Sequence, residues 1–335
     1  MTEAAQGDVG QTAKKTAIEV HYFPGTTRRH ALVIGGVHGK ERQGMEVARL
    51  LQADLASRPA AFSVVLVPVL FPDNAAVGKF GERETIIDGK THETNRNFPK
   101  PDKDLAASKG KDAKGGDILP ENQILMELME RFRPERIISL HGTWDSSLAG
   151  VFYDPRKLTA QEQQAAAEAA STAARPRAAD SEGASEARWR EVYEKSLKVK
   201  AEQADATDRD LSLRAAKMID DRTAGIGGRE SRGMSAPTAA QLEGKRKHSS
   251  VAGNVGRSGD LDFAFWGGGV PGGVSLGGYA SARGMSIFTV EPPVNRNIAD
   301  YGPGGNTSGD KLSQDDRRTE LQAYADAVRT ILLAN

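Results

Sequence analysis

Apolar positions along the chain follow two rhythms, and each change of rhythm marks a change of element. Ala17-Ile18-Glu19-Val20-His21-Tyr22 alternates with the period of a strand, while His30 to Gly36 (HALVIGG) is a short continuous apolar run of the kind buried on both faces. From Glu41 to about Ala56 the spacing becomes helical, with Met45, Val47, Ala48, Leu50, Leu51 and Leu55 on one side. Phe62 to Leu70 (FSVVLVPVL) returns to a buried strand. Gln123 to Arg133 predicts a helix that passes through Pro134 into a strand over Arg136 to Leu140. Ser286 to Val290 predicts a further strand, and Ser313 to Leu333 a closing surface helix. Strands alternating with helices predict an α/β fold: a three-layer α/β/α sandwich around a mixed, largely parallel sheet, with its site at the strand C-terminal ends.

Two regions depart from this pattern. Residues 1–16 are small and polar and predict a loose leader before a single domain over 17–335. Between about 156 and 250 the chain turns alanine- and charge-rich, and QEQQAAAEAASTAA, SEARWREVYEKSLKVKAEQA and TDRDLSLRAAKMIDD each suit a helix. This stretch reads as a helical insertion that overlies the sheet and adds no strand to it. Trp189, Val192, Tyr193, Leu197, Leu211, Leu213 and Met218 are its expected inward-facing residues, with Gly-rich joints near Gly225 to Gly233.

Composition narrows the chemistry. With 38% hydrophobic residues in 335, the chain is long enough to bury a substantial core. Its 45 Lys+Arg balance 45 Asp+Glu, so no global field recruits nucleic acid or a membrane surface. The absence of cysteine excludes a disulfide scaffold, a thiolate metal site and a cysteine nucleophile together. Any bound metal must use histidine and carboxylate. No run approaches the ~18 apolar residues of a membrane span, and the first 20 residues lack the basic start and apolar core of a secretory signal. The expectation is a cytoplasmic protein, with a trimmed signal or a signal-independent export route as the rival.

A catalytic zinc takes three nitrogen or carboxylate ligands and keeps one position open, and His-x-x-Glu brings two such side chains within one turn of chain. His38-Gly39-Lys40-Glu41 has this spacing in a turn relieved of side chains at Gly35, Gly36 and Gly39. A third ligand, His141, stands where the Arg136 to Leu140 strand ends. His21, His30, His92 and His248 have no such spacing and read as ordinary strand or surface histidines.

GGVHGKERQG, THETNRNFP, SLHG and FTVEPP, in that order along the chain, resemble the motifs of the carboxypeptidase A-like zinc metallopeptidase family. The resemblance spans roughly residues 30–155 and 251–295 by eye. It is closest in phrasing to bacterial members that cut murein peptides, and the aspartoacylase branch shares the first motif. The resemblance implies one Zn2+ per chain held by His38, Glu41 and His141, with Glu291 as general base and proton shuttle. It implies that Asn95 and Arg96 grip a substrate carboxylate through a planar, bidentate donor. Arg83 takes the place of the arginine that stabilises the oxyanion. The family's mobile tyrosine has no clear counterpart here; Trp266 or Tyr279 stands nearest to lining the pocket, and the specificity position falls at the small, uncharged Ser275. Lys40 and the second Asn-Arg-Asn, at Asn295 to Asn297, read as solvated surface.

The expected activity is hydrolysis of an amide bond near a free carboxylate, in a peptide or murein-derived peptide. Two rivals stand beside it. One is a small-molecule amidohydrolase of the aspartoacylase or succinylglutamate desuccinylase kind, whose relatives usually carry a β-rich C-terminal domain where only residues 292–335 follow Glu291 here. The other is a binding module that keeps the fold without the chemistry.

Overall fold

The computed structural model describes residues 3–39, 41–77, 84–87, 89–143, 149–173, 184–226, 254–257, 273–293 and 312–334. Eight strands form one sheet: β1 (Ala5–Gln11), β2 (Ala17–Phe23), β3 (His30–Gly35), β4 (Ser63–Val67), β7 (Arg136–Leu140), β8 (Gly150–Asp154), β9 (Asn254–Arg257) and β10 (Ser286–Glu291), while β5 (Glu84–Ile87) and β6 (Lys90–Glu93) make a separate hairpin. The order across the sheet is β1-β2-β4-β3-β7-β10-β8-β9. The pairs β4–β3, β3–β7, β7–β10 and β8–β9 are parallel, and β1–β2, β2–β4 and β10–β8 antiparallel. The helices are α1 (Arg42–Ser57), α2 (Pro72–Ala76), α3 (Leu105–Ser108), α4 (Pro120–Phe132), α5 (Ala160–Ala173), α6 (Ala184–Thr223), α7 (Leu276–Ser281) and α8 (Gln314–Leu333).

Strand alternation divides the core in two. Ala31, Val33, Val64, Leu66, Ile138, Leu140, Phe288 and Val290 face one side, where Val47, Leu51 and Leu55 of α1, Leu211 and Ile219 of α6 and Tyr324, Val328 and Ile331 of α8 cover them. Leu32, Ile34, Val65, Val67, Ile137 and Ile287 face the other, under Leu125, Leu128 and Met129 of α4 and Leu276 and Tyr279 of α7. Both faces are apolar because both are covered, which is why β3 and β4 read as continuous apolar runs. The result is the expected α/β sandwich.

Three segments differ from their sequence reading. Ala5–Gln11, expected as part of a loose leader, is an edge strand antiparallel to β2, from Ala5 opposite Tyr22 to Gln11 opposite Ala17, with a one-residue register shift between Asp8 and Gly10. Its side chains are small and largely exposed, so the pairing rests on backbone hydrogen bonds that composition does not reveal. The two helices expected over 185–204 and 207–221 are one 40-residue helix, α6, since no Gly or Pro interrupts the stretch. Its two halves behave differently. Trp189 stacks on Tyr193 at 4.8 Å and donates through Nε1 to Ser171 Oγ of α5 at 3.1 Å, but Trp189, Val192, Tyr193 and Leu197 stay half-exposed. Further on, Leu211, Ala215, Ala216 and Ile219 are buried against the sheet and α8, while Leu213 and Met218 are only partly covered. The insertion is thus a core-forming helix at one end. Among its described residues it supplies no strand; β9 lies just beyond it.

Candidate metal centre

The site forms where β3 and β7 lie side by side at the centre of the sheet. From β3 the chain crosses through α1 to β4 on one side, while the neighbours of β7 lie on the other, so the two strand ends diverge and leave a crevice. His38 follows β3 and His141 follows β7. After β3 the chain reverses at Gly36, whose φ of +64° is readily adopted only by glycine. Glu41 N donates to His38 O at 3.0 Å, which closes the turn and leaves Glu41 as the N-cap of α1.

Gly44, the third residue of α1, sets how close that helix comes. A Cβ there would lie 2.4 Å from the carbonyl oxygens of both Leu140 and His141, so hydrogen alone lets α1 touch the end of β7. This contact carries Glu41 to His141. The Glu41 carboxylate bridges the two imidazoles: His38 Nδ1 is 2.9 Å from Oε1 and His141 Nδ1 2.9 Å from Oε2, with Gly142 N donating to Oε2 at 3.2 Å. The three side chains are buried, and their ligand atoms lie within 4.8 Å of one another. Burial alone would push the Glu41 carboxyl up. The two imidazoles beside it outweigh burial and hold it well below the usual carboxylate range.

Ser139 completes the arrangement. Residues i and i+2 of a strand share a face, and Ser139 Oγ lies 2.9 Å from His141 Nε2, the nitrogen turned away from Glu41. Each imidazole therefore offers Nδ1 to the centre, and His141 has its outer nitrogen tied to a hydroxyl, the usual support of a metal-ligating histidine. Two imidazole nitrogens and a carboxylate, buried and convergent without thiolate, fit Zn2+ by the chemistry of the donor set. Ser139 was not among the residues singled out from sequence. Its signal was its place two residues before a ligand on a predicted strand.

Glu291 reaches the same strand ends by register. Val290 pairs with Leu140, and His141 N donates to Val290 O at 2.9 Å, so Glu291 stands beside His141. Leu140 and Val290 face the α1 layer; His141 and Glu291, one residue on, fall on the α4 and α7 side. Glu291 is half-buried, and buried Pro292 and Pro293 follow.

The Asn95 to Phe98 segment belongs to that same layer. Asn95 Oδ1 accepts from Leu276 N at 2.9 Å, Asn97 Oδ1 from Leu119 N at 2.7 Å, and Asn122 Nδ2 donates to Thr94 O at 2.8 Å. Phe98 stacks on Tyr279 at 5.5 Å. Arg96 is half-buried and donates to Asn95 O at 2.8 Å. Ser275 caps α7, its hydroxyl accepting from Gly278 N at 3.0 Å, and Tyr279 is a core residue, 1% exposed, with the Arg283 guanidinium over its ring. Arg83, Trp266, Lys40, His248 and Asn295 to Asn297 lie outside the described residues.

No protein-family model matches the chain, and no curated protein does. Solved structures do. The carboxypeptidase A of Helicoverpa armigera superposes with a TM-score of 0.53 at 12% identity, over 98% of this chain and 69% of that one. Bovine thrombin-activatable fibrinolysis inhibitor, solved with tick carboxypeptidase inhibitor, gives 0.50 at 12% identity, over 98% and 89%. The murein-tripeptide amidase of Escherichia coli O157 gives 0.43 at 16%, over 97% and 92%. At 12% identity the first two show a likeness of fold alone. The chain thus combines a carboxypeptidase A-like fold with a buried His-Glu-His triad at its strand ends.

Proposed function

We propose that this chain is a zinc-dependent hydrolase that cleaves an amide bond next to a free carboxylate, and that its substrate is a peptide derived from peptidoglycan. The observation that carries the reading is the triad itself. Two imidazoles and a carboxylate, all buried, turn their donor atoms toward one point at a sheet switch point. Zinc held by His38, Glu41 and His141 would supply a Lewis acid and a water of lowered pKa. Glu291, beside His141 in register, takes the proton of the attacking water and returns it to the leaving nitrogen. Arg96 holds the substrate carboxylate with a planar pair of donors, which sets the scissile amide close to a free carboxyl end. Ser139 and Gly142 orient His141 and Glu41 and take no part in the proton transfer. The peptidoglycan assignment is supported by the phrasing of the GGVHG, NRNFP and GGVSLGGYASARG segments.

The test is metal analysis followed by incubation with defined murein tri- and tetrapeptides, with products read by mass spectrometry. About one zinc per chain, lost in His38→Ala and His141→Ala, together with release of a single terminal residue or peptide, is the expected result. Full metal occupancy in both variants would remove the basis of the assignment. Cleavage of small N-acyl amino acids with murein peptides untouched would keep the metal chemistry and replace the substrate.

A further inference from the structure

At the opposite end of the sheet lies a second concavity that the proposed reaction does not use. It opens where β7 and β10 begin, at Arg136 and Ser286, roughly a strand length of 15 Å from the triad. Its volume, about 770 Å³, falls within the range of small-molecule sites. Arg29, Arg133, Arg136, Arg156, Lys200 and Arg283 line it, against three carboxylates, Glu135, Glu162 and Asp208. These cations come from separate parts of the chain: the approach to β3, the approach to β7, the exit of β8, α6 and the approach to β10. A neutral chain has gathered an excess of positive charge, six cations against three carboxylates, in one recess.

The three carboxylates are already engaged. Glu135 pairs with Arg29 at 2.9 Å, Glu162 accepts from both terminal nitrogens of Arg156 at 2.8 Å, and Asp208 accepts from Ser286 Oγ at 2.8 and 3.0 Å. Buried Arg136 spends its hydrogen bonds on the carbonyls of Ile331 and Ala334 at the end of α8. Arg136 and Arg29 also share the ring of Phe62, at 4.6 and 4.2 Å from its centroid. Arg283 donates to the carbonyls of Pro101, Lys103 and Tyr279. Arg133 is exposed and Lys200 half-buried, and neither makes an ion pair among the described residues. Positive charge therefore remains on several walls of the cleft, and its low-dielectric surroundings focus that field on the interior.

We propose that this cleft binds a small multivalent oxyanion, one carrying two or more carboxylate or phosphate groups, and that the bound anion ties α6 to the strand starts. More than one anionic group is required because the uncompensated cations sit on different walls. Occupancy bridges Lys200 of α6 to Arg133 at the end of α4 and Arg136 at the start of β7, so it raises thermal stability as well as registering as binding.

The test is calorimetric titration of the zinc-loaded chain with citrate, pyrophosphate and inorganic phosphate at low ionic strength, alongside thermal denaturation. Saturable one-to-one binding of citrate or pyrophosphate is expected, stronger than that of inorganic phosphate and accompanied by a higher Tm. Arg133→Glu, at an exposed position, and Lys200→Glu, at a half-buried one, should each weaken it about tenfold or more. Lys195→Glu, an equal charge change on an exposed position of α6 outside the cleft, should leave it unchanged, as should His38→Ala at the metal centre. The proposal fails if no saturable binding occurs at millimolar anion. It fails equally if Lys195→Glu weakens binding as much as Lys200→Glu, or if His38→Ala abolishes it, which would put the anion on the metal.

Discussion

Replacing Gly44 by alanine tests whether the approach of α1 to β7 is what assembles the triad. The new methyl carbon would lie 2.4 Å from the carbonyl oxygens of Leu140 and His141 and 2.6 Å from the Leu140 carbonyl carbon. An ordinary nonbonded contact is about 3.5 Å, so the helix start and the strand end must separate by about 1 Å. Both neighbours are backbone in a hydrogen-bonded sheet, and no flexible side chain can yield in their place. Metal sites tolerate about 0.2 Å of ligand displacement, so a 1 Å shift of Glu41 from His141 Nδ1, now 2.9 Å from its carboxylate, exceeds the tolerance several-fold. Zinc affinity is expected to fall by about 10- to 100-fold. Overpacking should lower the stability of the metal-free chain by about 1–3 kcal/mol, reduced by up to about 1 kcal/mol through the better helix propensity of alanine. A chelator competition titration gives the first quantity and denaturant unfolding of the metal-free protein the second. Gly7→Ala, on β1 with nothing within 4 Å of its added carbon, is the control and should change neither. Unaltered zinc affinity in Gly44→Ala would refute the reasoning, because the close contact would then be incidental to the site.

Three further outcomes follow from the same geometry. Glu291→Gln should keep its metal while turnover falls by about 100-fold or more; full activity in that variant would place the proton acceptor elsewhere. Ser139→Ala removes the hydroxyl on His141 Nε2 and should weaken zinc binding by about tenfold in competition titration with the fold intact by circular dichroism, whereas undiminished affinity would make that hydrogen bond dispensable. Burial pushes the Asp208 carboxyl up to about 6, against the opposing pull of Ser286 and Arg156. An acid whose pKa is raised on folding stabilises the fold while protonated, and that contribution is lost as pH rises from about 4 to about 6. Asp208→Asn should therefore be more stable than the parent by about 1–3 kcal/mol above pH 6, with the difference closing toward pH 4. Denaturant melts across this range would show the reverse order if the ion pair of Asp208 with Arg156 Nε, 3.9 Å away, dominates.

Much of this molecule was determined by the order of its residues alone. The β3, β7 and β10 strands are largely apolar because both faces of the sheet are covered, and that necessity shows in sequence as short aliphatic and aromatic runs, interrupted by Ser139 in β7 and Thr289 in β10; the strand expected over Arg136 to Leu140 matches β7 to the residue. His38, Glu41 and His141 were legible for a related reason, since a ligand at a strand end stands within a few residues of such a run or opens the helix after it. Other features rest on partners distant in the chain, and there local pattern is silent. Ala5–Gln11 is a strand only because β2 offers it an edge. One end of α6 is core while the other is half-exposed because α8 and the sheet lie under the first alone, although both halves have similar helical composition. Tyr279 and Ser275, which the resemblance sets near the pocket, are engaged by Phe98 and by the cap of α7. Gly44 looks like any helix-start glycine until β7 arrives within 2.4 Å of where a side chain would be. The basic cleft, assembled from well-separated segments of a neutral chain, exists only in three dimensions, because charge along a sequence does not reveal which residues folding brings to a common wall.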